Sequence, residues 1–189
     1  GIAHASLAGI AIGLLAGFAP LPIAILYAIL VALAIYWFEK STKLSSDTII
    51  GIFFTASMAL GVVLMSLMPG FQPELISFLF GNILAIGTAD VVTVAILSTI
   101  ILTWLFIWKK ELTFVSLDRD GAKLAGINAE LHNIIFYIAL ATSVVLGVKI
   151  LGIILVSALL LIPAATSRLL SDTFNGFFII AIVFSILTV

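Results

Sequence analysis

The sequence contains no cysteine. Disulfide frameworks, thiolate metal sites and cysteine nucleophiles are therefore excluded. Charge is scarce as well. Asp, Glu, Lys and Arg make up 9% of the 189 residues, against about 25% in an ordinary soluble domain. With 63% hydrophobic residues, the chain has too little polar surface to enclose a soluble globule, so its expected environment is a lipid bilayer. A net charge of -1 and the lack of a basic patch interleaved with aromatics argue against nucleic acid as a partner. Enzyme constellations are missing too: no HExxH, no GxSxG with partners, no paired carboxylates on one helix face. Without a phosphate-binding P-loop the chain does not hydrolyse nucleotide by that route, and an ATP-driven role requires a separate subunit. The chain opens on Gly1 and closes on an apolar run, residues 177–189, and is expected to be a fragment of a longer membrane protein.

What is present is a series of apolar segments. Residues 5–19 are rich in small side chains, and Gly9, Gly13 and Gly17 recur every four positions, a stripe that lets another helix approach closely in lipid. Pro20 and Pro22 interrupt it. Residues 21–38 reach roughly 27 Å as a helix, enough to cross the bilayer core. A polar stretch, 39–47, follows, with Asp47 as the expected N-cap of a second full span, 48–68. Met58, Met65 and Met68 within that span read as packing fillers. Residues 75–86 make only about 18 Å of helix, too short to span, and are expected to be re-entrant or interfacial, with Gly81-Asn82 as a polar interruption facing protein or a water-filled cavity. Residues 91–108 form the next span. The apolar run 134–168 would be about 52 Å long if straight, so it must turn, and Lys149 to Gly152 is the place. Pro163 is expected to kink its second half. Another span starts near residue 176. The fold class is therefore all-α: a polytopic transmembrane helical bundle of about seven spans plus one short re-entrant or interfacial helix.

The polar stretch 109–133 organises this series. It holds eight of the seventeen charged residues: Lys109, Lys110, Glu111, Asp118, Arg119, Asp120, Lys123 and Glu130. If residues 75–86 do not span, the stretches 39–47 and 109–133 share one side of the membrane. Seven of the eight Lys and Arg residues then lie on that side and only Lys149 on the other, which makes it the cytoplasmic side. Within the stretch, Asp118, Arg119 and Asp120 can start a short helix, because acidic side chains suit its N-terminal dipole. Ala122, Ala125 and Gly126 supply small side chains, and Leu124 and Ile127 supply apolar knobs. Two readings stand: a helix that enters a cleft of a soluble partner, or a solvated loop with an amphipathic turn. His132 is expected to be solvated. His4, at the mouth of the small-residue segment, is either a ligand for a cation or a hydrogen-bonded interfacial side chain.

Several stretches resemble the permease subunits of ATP-binding-cassette importers for zinc, manganese and related divalent metals. They are Ala3 to Gly9, Ser46 to Ile52, Glu74 to Leu84 (ELISFLFGNIL), Leu117 to Ile127 (LDRDGAKLAGI) and Lys149 to Arg168 with Leu161-Ile162-Pro163-Ala164-Ala165-Thr166. They occur in the family's order and cover nearly the whole chain. The resemblance implies one permease domain over 1–189 that imports zinc, manganese or iron by alternating access. It implies a homodimer in a prokaryotic cell membrane, with cytoplasmic ATPase subunits that hold ATP and an extracytoplasmic metal-binding protein. The chain itself would bind no cofactor. Residues Asp118, Arg119, Asp120, Ala122, Lys123, Leu124, Ala125, Gly126 and Ile127 would be the coupling helix to the ATPase, and His4 the metal residue. In the family the residue matching His4 follows an acidic residue by one helical turn; that position falls before Gly1, and Ala3 stands where Ser is usual. The competing expectations are a permease for iron chelates or cobalamin and an ion-coupled secondary transporter. The latter calls for acidic groups at mid-span, and none is found well inside a span.

Overall fold

In the computed structural model, which describes residues 2–68, 70, 79–82, 86–171 and 173–187, the described chain is helical and contains no strand. Four of its helices are long and apolar enough to cross a membrane, and two shorter apolar helices flank them. In chain order the described helices are α1 (Ile2–Leu15), α2 (Pro20–Ser41), α3 (Ser46–Ser66), α4 (Thr88–Ile107), α5 (Lys109–Leu117), α6 (Arg119–Leu124), α7 (Ala129–Leu170) and α8 (Phe174–Leu187). Counting the two halves of α7 separately, the apolar helical segments among the described residues number seven, matching the expected spans. Most of the expected short segment, residues 75–86, lies outside the described residues, as do Pro69, Pro73, Glu74 and Asp172.

The packing follows from the smallest side chains. A methyl group on Gly9 would come within 2.8 Å of the Ala24 Cα, and one on Gly13 within 3.0 Å of the Pro20 Cα. These two glycines bring α1 and α2 into backbone contact, as the stripe predicts. Gly17 does something else. It has φ +71° and open space beside it, and it ends α1: the Phe18 N–H donates to the Gly13 carbonyl and the Gly17 N–H to the Leu14 carbonyl. That pair of bonds closes a helix C-terminus and favours glycine at the left-handed residue. Pro20 then occupies the first position of α2, where its missing N–H costs no hydrogen bond. The two prolines thus begin a helix as much as they interrupt one.

The other face of α1 meets α3, where a methyl group on Gly61 would lie 3.3 Å from the Ala8 nitrogen. With α7 also against it, α1 is the innermost element: Ala5, Ala8, Ile10 and Ala11 are fully buried. Ala24, Ala28 and Ala32 of α2, and Val144, Val145 and Val148 of α7, complete this core. The N-cap of α3 is Ser45, whose hydroxyl accepts from the Thr48 N–H, and not Asp47. Asp47 sits in the first helical turn, where its charge still complements the helix dipole.

Helix α7 turns back on itself at Gly152, whose φ and ψ of 81° and 163° are non-helical. A methyl group on Gly147 would lie 3.1 Å from a Val156 methyl carbon; in a straight helix nine residues would separate them by about 13 Å. The turn therefore falls within the predicted window, Lys149 to Gly152. Around Pro163, by contrast, the backbone stays helical: Gly152 is the one non-helical residue within α7. The Ser167 hydroxyl donates to the Pro163 carbonyl in that stretch.

Candidate functional site

The polar stretch between α4 and α7 is an ordered arm. Trp108 ends α4 and begins α5, and the Leu112 N–H donates to the Trp108 carbonyl, so the two helices share a joint. Asp118 then ends α5 and caps α6, its Oδ1 accepting from the Gly121 N–H at 2.8 Å. A methyl group on Gly121 would press on that carboxylate, so glycine at this position lets the cap close without a shift of the Asp118 side chain. Gly121 was not among the residues expected to matter; the Asp-x-x-Gly spacing is its sequence trace. At the far end, Gly126 has φ +79°, the Gly126 N–H donates to the Lys123 carbonyl and the Ile127 N–H to the Ala122 carbonyl. Helix α6 is thus closed at both ends by local chemistry.

The side chains of α6 divide into two sets. Ala122 is fully buried and packs with Val115 and Ala129, with Ile127 against them. This small residue lets α6 lie on α5 and the start of α7. Arg119, Asp120, Lys123, Leu124, Ala125 and Gly126 are exposed, and Leu124 is 90% exposed. Asp120 and Lys123 form an ion pair at 3.6 Å with both side chains largely in solvent, so it contributes little. The outward surface of the arm is therefore an apolar knob ringed by charges of both signs.

His132 stands at the base of the arm, and it is not solvated. It is buried, its Nδ1 lies 2.9 Å from the Asn128 carbonyl oxygen, and its ring meets the Trp108 indole edge-on at 5.0 Å. Asn128 caps α7 by accepting from the Leu131 N–H at 3.1 Å. The α4–α5 joint and the start of α7 are packed together through this imidazole. A lone His in a charged stretch carries no sequence mark of such burial, because the covering Trp108 is distant in the chain.

Long-range polar contacts set which ends of the helices lie together. Lys40 Nζ lies 2.6 Å from Glu130 Oε1, and the Tyr137 hydroxyl donates to Glu39 at 2.5 Å. The stretch after α2 and the arm before α7 therefore share one end of the bundle. Lys109 sits 5.0 Å from the Phe178 ring centroid, which brings the start of α8 to the same end. Lys149 lies 3.5 Å from Asp90 at the opposite end, roughly 28 Å further along α7 than Glu130. This is the arrangement on which the count of basic residues rested.

His4 lies on α1 with its ring edge-on to Phe54 of α3, centroids 4.9 Å apart. Phe54 is eight positions past Ser46, roughly 12 Å along α3, so His4 is within the apolar layer and not at the mouth of a span. It is half-buried. No group of three His, Cys, Asp or Glu side chains converges among the described residues, so His4 contributes a single imidazole.

Helix lengths, apolar surfaces and charges gathered at the two ends define a multi-pass α-helical membrane protein. The chain belongs to the ABC 3 transport family, which it matches over residues 1–189. It is 30% identical to the high-affinity zinc uptake system membrane protein ZnuB of Haemophilus influenzae, over all of this chain and 72% of that protein. It is 32% identical to the manganese transport system membrane protein MntC of Listeria monocytogenes, over 97% of this chain and 65% of that protein. Among solved structures it is similar to PsaBC from Streptococcus pneumoniae in complex with Fab, with a TM-score of 0.77, 29% identity and coverage of 97% of this chain and 66% of that one.

Proposed function

We propose that this chain is the membrane-spanning permease subunit of an ATP-driven importer that moves a divalent metal ion (zinc, manganese or iron) into the cytoplasm by alternating access. The family match over the full 1–189 carries this reading; the names of the zinc and manganese relatives supply the cargo class. The permease domain acts as a homodimer in the cell membrane of a prokaryote. Two cytoplasmic ATPase subunits bind the ATP, and an extracytoplasmic protein delivers the metal. The end bearing Lys40, Lys109 and Arg119 faces the cytoplasm, since basic residues are retained there. The exposed face of α6, with Leu124 at its centre, couples to the ATPase, while Asp118, Ala122 and Ile127 hold that face in shape. His4 lines the metal path; imidazole suits zinc and iron, whereas manganese favours oxygen ligands. Selection among them then depends on the further ligands that complete the site.

The test is uptake by the full-length protein together with its ATPase and delivery protein in proteoliposomes. ATP-dependent accumulation of zinc or manganese is the expected outcome. Accumulation of an iron chelate or cobalamin without any divalent ion assigns the chain to the other cargo class. Metal uptake driven by an ion gradient without ATP overturns the ATP-driven reading.

A further inference from the structure

The far end of α4 is held by a small set of contacts that neither the family match nor the arm accounts for. Asp90 and Lys149 pair at 3.5 Å, with side chains only 25% and 21% exposed. Partial burial weakens solvent screening of this pair, whereas Lys40 and Glu130, though closer, are half-exposed. Asp90 Oδ2 also accepts from the Gly87 N–H at 3.1 Å, so one carboxylate both closes the start of α4 and meets α7. Three residues beyond Lys149, Gly152 lies against Gly81. A methyl group on Gly81 would come within 2.8 Å of the Leu151 carbonyl carbon and oxygen. Residues 79–82, the start of α4 and the turn of α7 thus meet at one point.

Along the rest of its length α4 packs lightly against the other described residues. Among the described residues it buries no side chain. A cleft of about 330 Å³ separates it from α7, with Val94, Ser98 and Leu105 on one wall and Ser143, Leu146 and Ile150 on the other. At its near end α4 continues through Trp108 into α5 and, through Asp118, into α6.

We infer that Asp90 and Lys149 form a clasp fixing the far end of α4 to the α7 turn, and that α4 pivots on this clasp when the α5–α6 arm moves. A long helix with one fixed end and one driven end acts as a lever. With the clasp closed, displacement of the arm swings α4 across the cleft. With it open, α4 slides away from α7 and the displacement is lost. The clasp itself stands on geometry alone; the lever rests on the reading of the chain as a transport permease.

The experiment separates the two. Asp90→Asn removes the charge but keeps an oxygen to cap Gly87, Lys149→Gln removes the other charge, and Lys149→Arg retains it. Amide hydrogen exchange of the full-length protein is measured over residues 79–82 and 87–94. Asp90→Asn and Lys149→Gln are expected to raise exchange there about tenfold while Lys149→Arg stays near wild type. Unchanged protection in both neutral variants overturns the clasp, whether or not the protein transports metal. In the reconstituted assembly the same two variants are expected to keep ATP hydrolysis and lose most zinc or manganese uptake, with Lys149→Arg restoring it. Faster exchange with wild-type uptake overturns the lever. A wild-type assembly that moves no divalent ion overturns the transport reading and the lever with it, while the exchange result still decides the clasp.

Discussion

Gly81 and Gly152, seventy-one positions apart in the chain, cross backbone to backbone, and both have positive φ, 79° and 81°. A methyl group on Gly152 would overlap the Gly81 nitrogen and come within 2.5 Å of the Phe80 carbonyl carbon. Glycine meets two demands here at once: a left-handed backbone that side chains disfavour, and a contact that leaves no room for a Cβ. Gly152→Ala and Gly81→Ala are each expected to destabilise the protein by about 2 kcal/mol or more. Thermal unfolding in detergent checks this, and a Tm within a degree or two of wild type for both variants contradicts the crossing.

Gly9 of α1 and Gly17 just past its end make a graded prediction. Gly9→Val forces a side chain into the Ala24 backbone, whereas Gly17→Ala meets only the strain of its positive φ. Gly9→Val is expected to cost several kcal/mol, as overpacking against an unyielding backbone does, and Gly17→Ala about 1 kcal/mol. The order of the two Tm values is the measurement. Equal losses show that Gly9 is not at a close contact.

The two polar links at the near end differ in worth. Lys40 and Glu130 are half in solvent, so Lys40→Ala is expected to change stability by less than about 1 kcal/mol. Tyr137→Phe leaves the partly buried Glu39 carboxylate without its donor and is expected to cost about 1–3 kcal/mol. Unfolding of the two variants side by side decides, and a larger loss for Lys40→Ala reverses the assignment.

For coupling, Leu124 is a better probe than Gly126. Any bulky side chain at Gly126 strains the left-handed end of α6, so loss of function there mixes folding with docking. Leu124→Glu alters only an exposed knob. It is expected to leave folding intact while lowering metal-stimulated ATPase activity and uptake about tenfold, the usual scale of a lost apolar anchor. Full activity in that variant removes Leu124 from the docking face.

His4→Ala in the full-length protein is expected to reduce metal uptake by at least about tenfold, the scale on which metal affinity falls when a site is disturbed. His4→Phe keeps a ring against Phe54 and serves as the packing control. Uptake that survives in both variants places His4 outside the path.

Much of the fold was legible in order and length. Apolar runs of about twenty residues have one stable form in lipid, because each backbone N–H and C=O must be satisfied within its own segment. The excess length of 134–168 required a turn, and Lys149, the charged residue in its interior, marked where. The uneven placement of Lys and Arg set which polar stretches share an end, and Lys40 paired with Glu130 is the physical form of that count. The start of a helix was legible at Asp118 from the dipole rule, and the structure adds the side-chain cap. Cap chemistry misled at Asp47, because Ser45 and Asp47 are both good caps and the helix begins at one of them.

What the sequence by itself determined, then, is the solvent, the number of apolar segments and the local ends of α6, since each depends on composition or on residues a few positions apart. Only the tertiary structure decided that Ala122 faces inward, that His132 is covered by Trp108, that His4 sits deep beside Phe54, and that Gly81 meets Gly152 beside the Asp90–Lys149 pair. In each case the deciding neighbour is distant along the chain. The polar stretch 109–133 changes accordingly from a loop to a two-helix arm. Its joint is Trp108 and its outward face is centred on Leu124, because packing against α5 and α7 buries Ala122 and leaves Leu124, Ala125 and Gly126 in solvent.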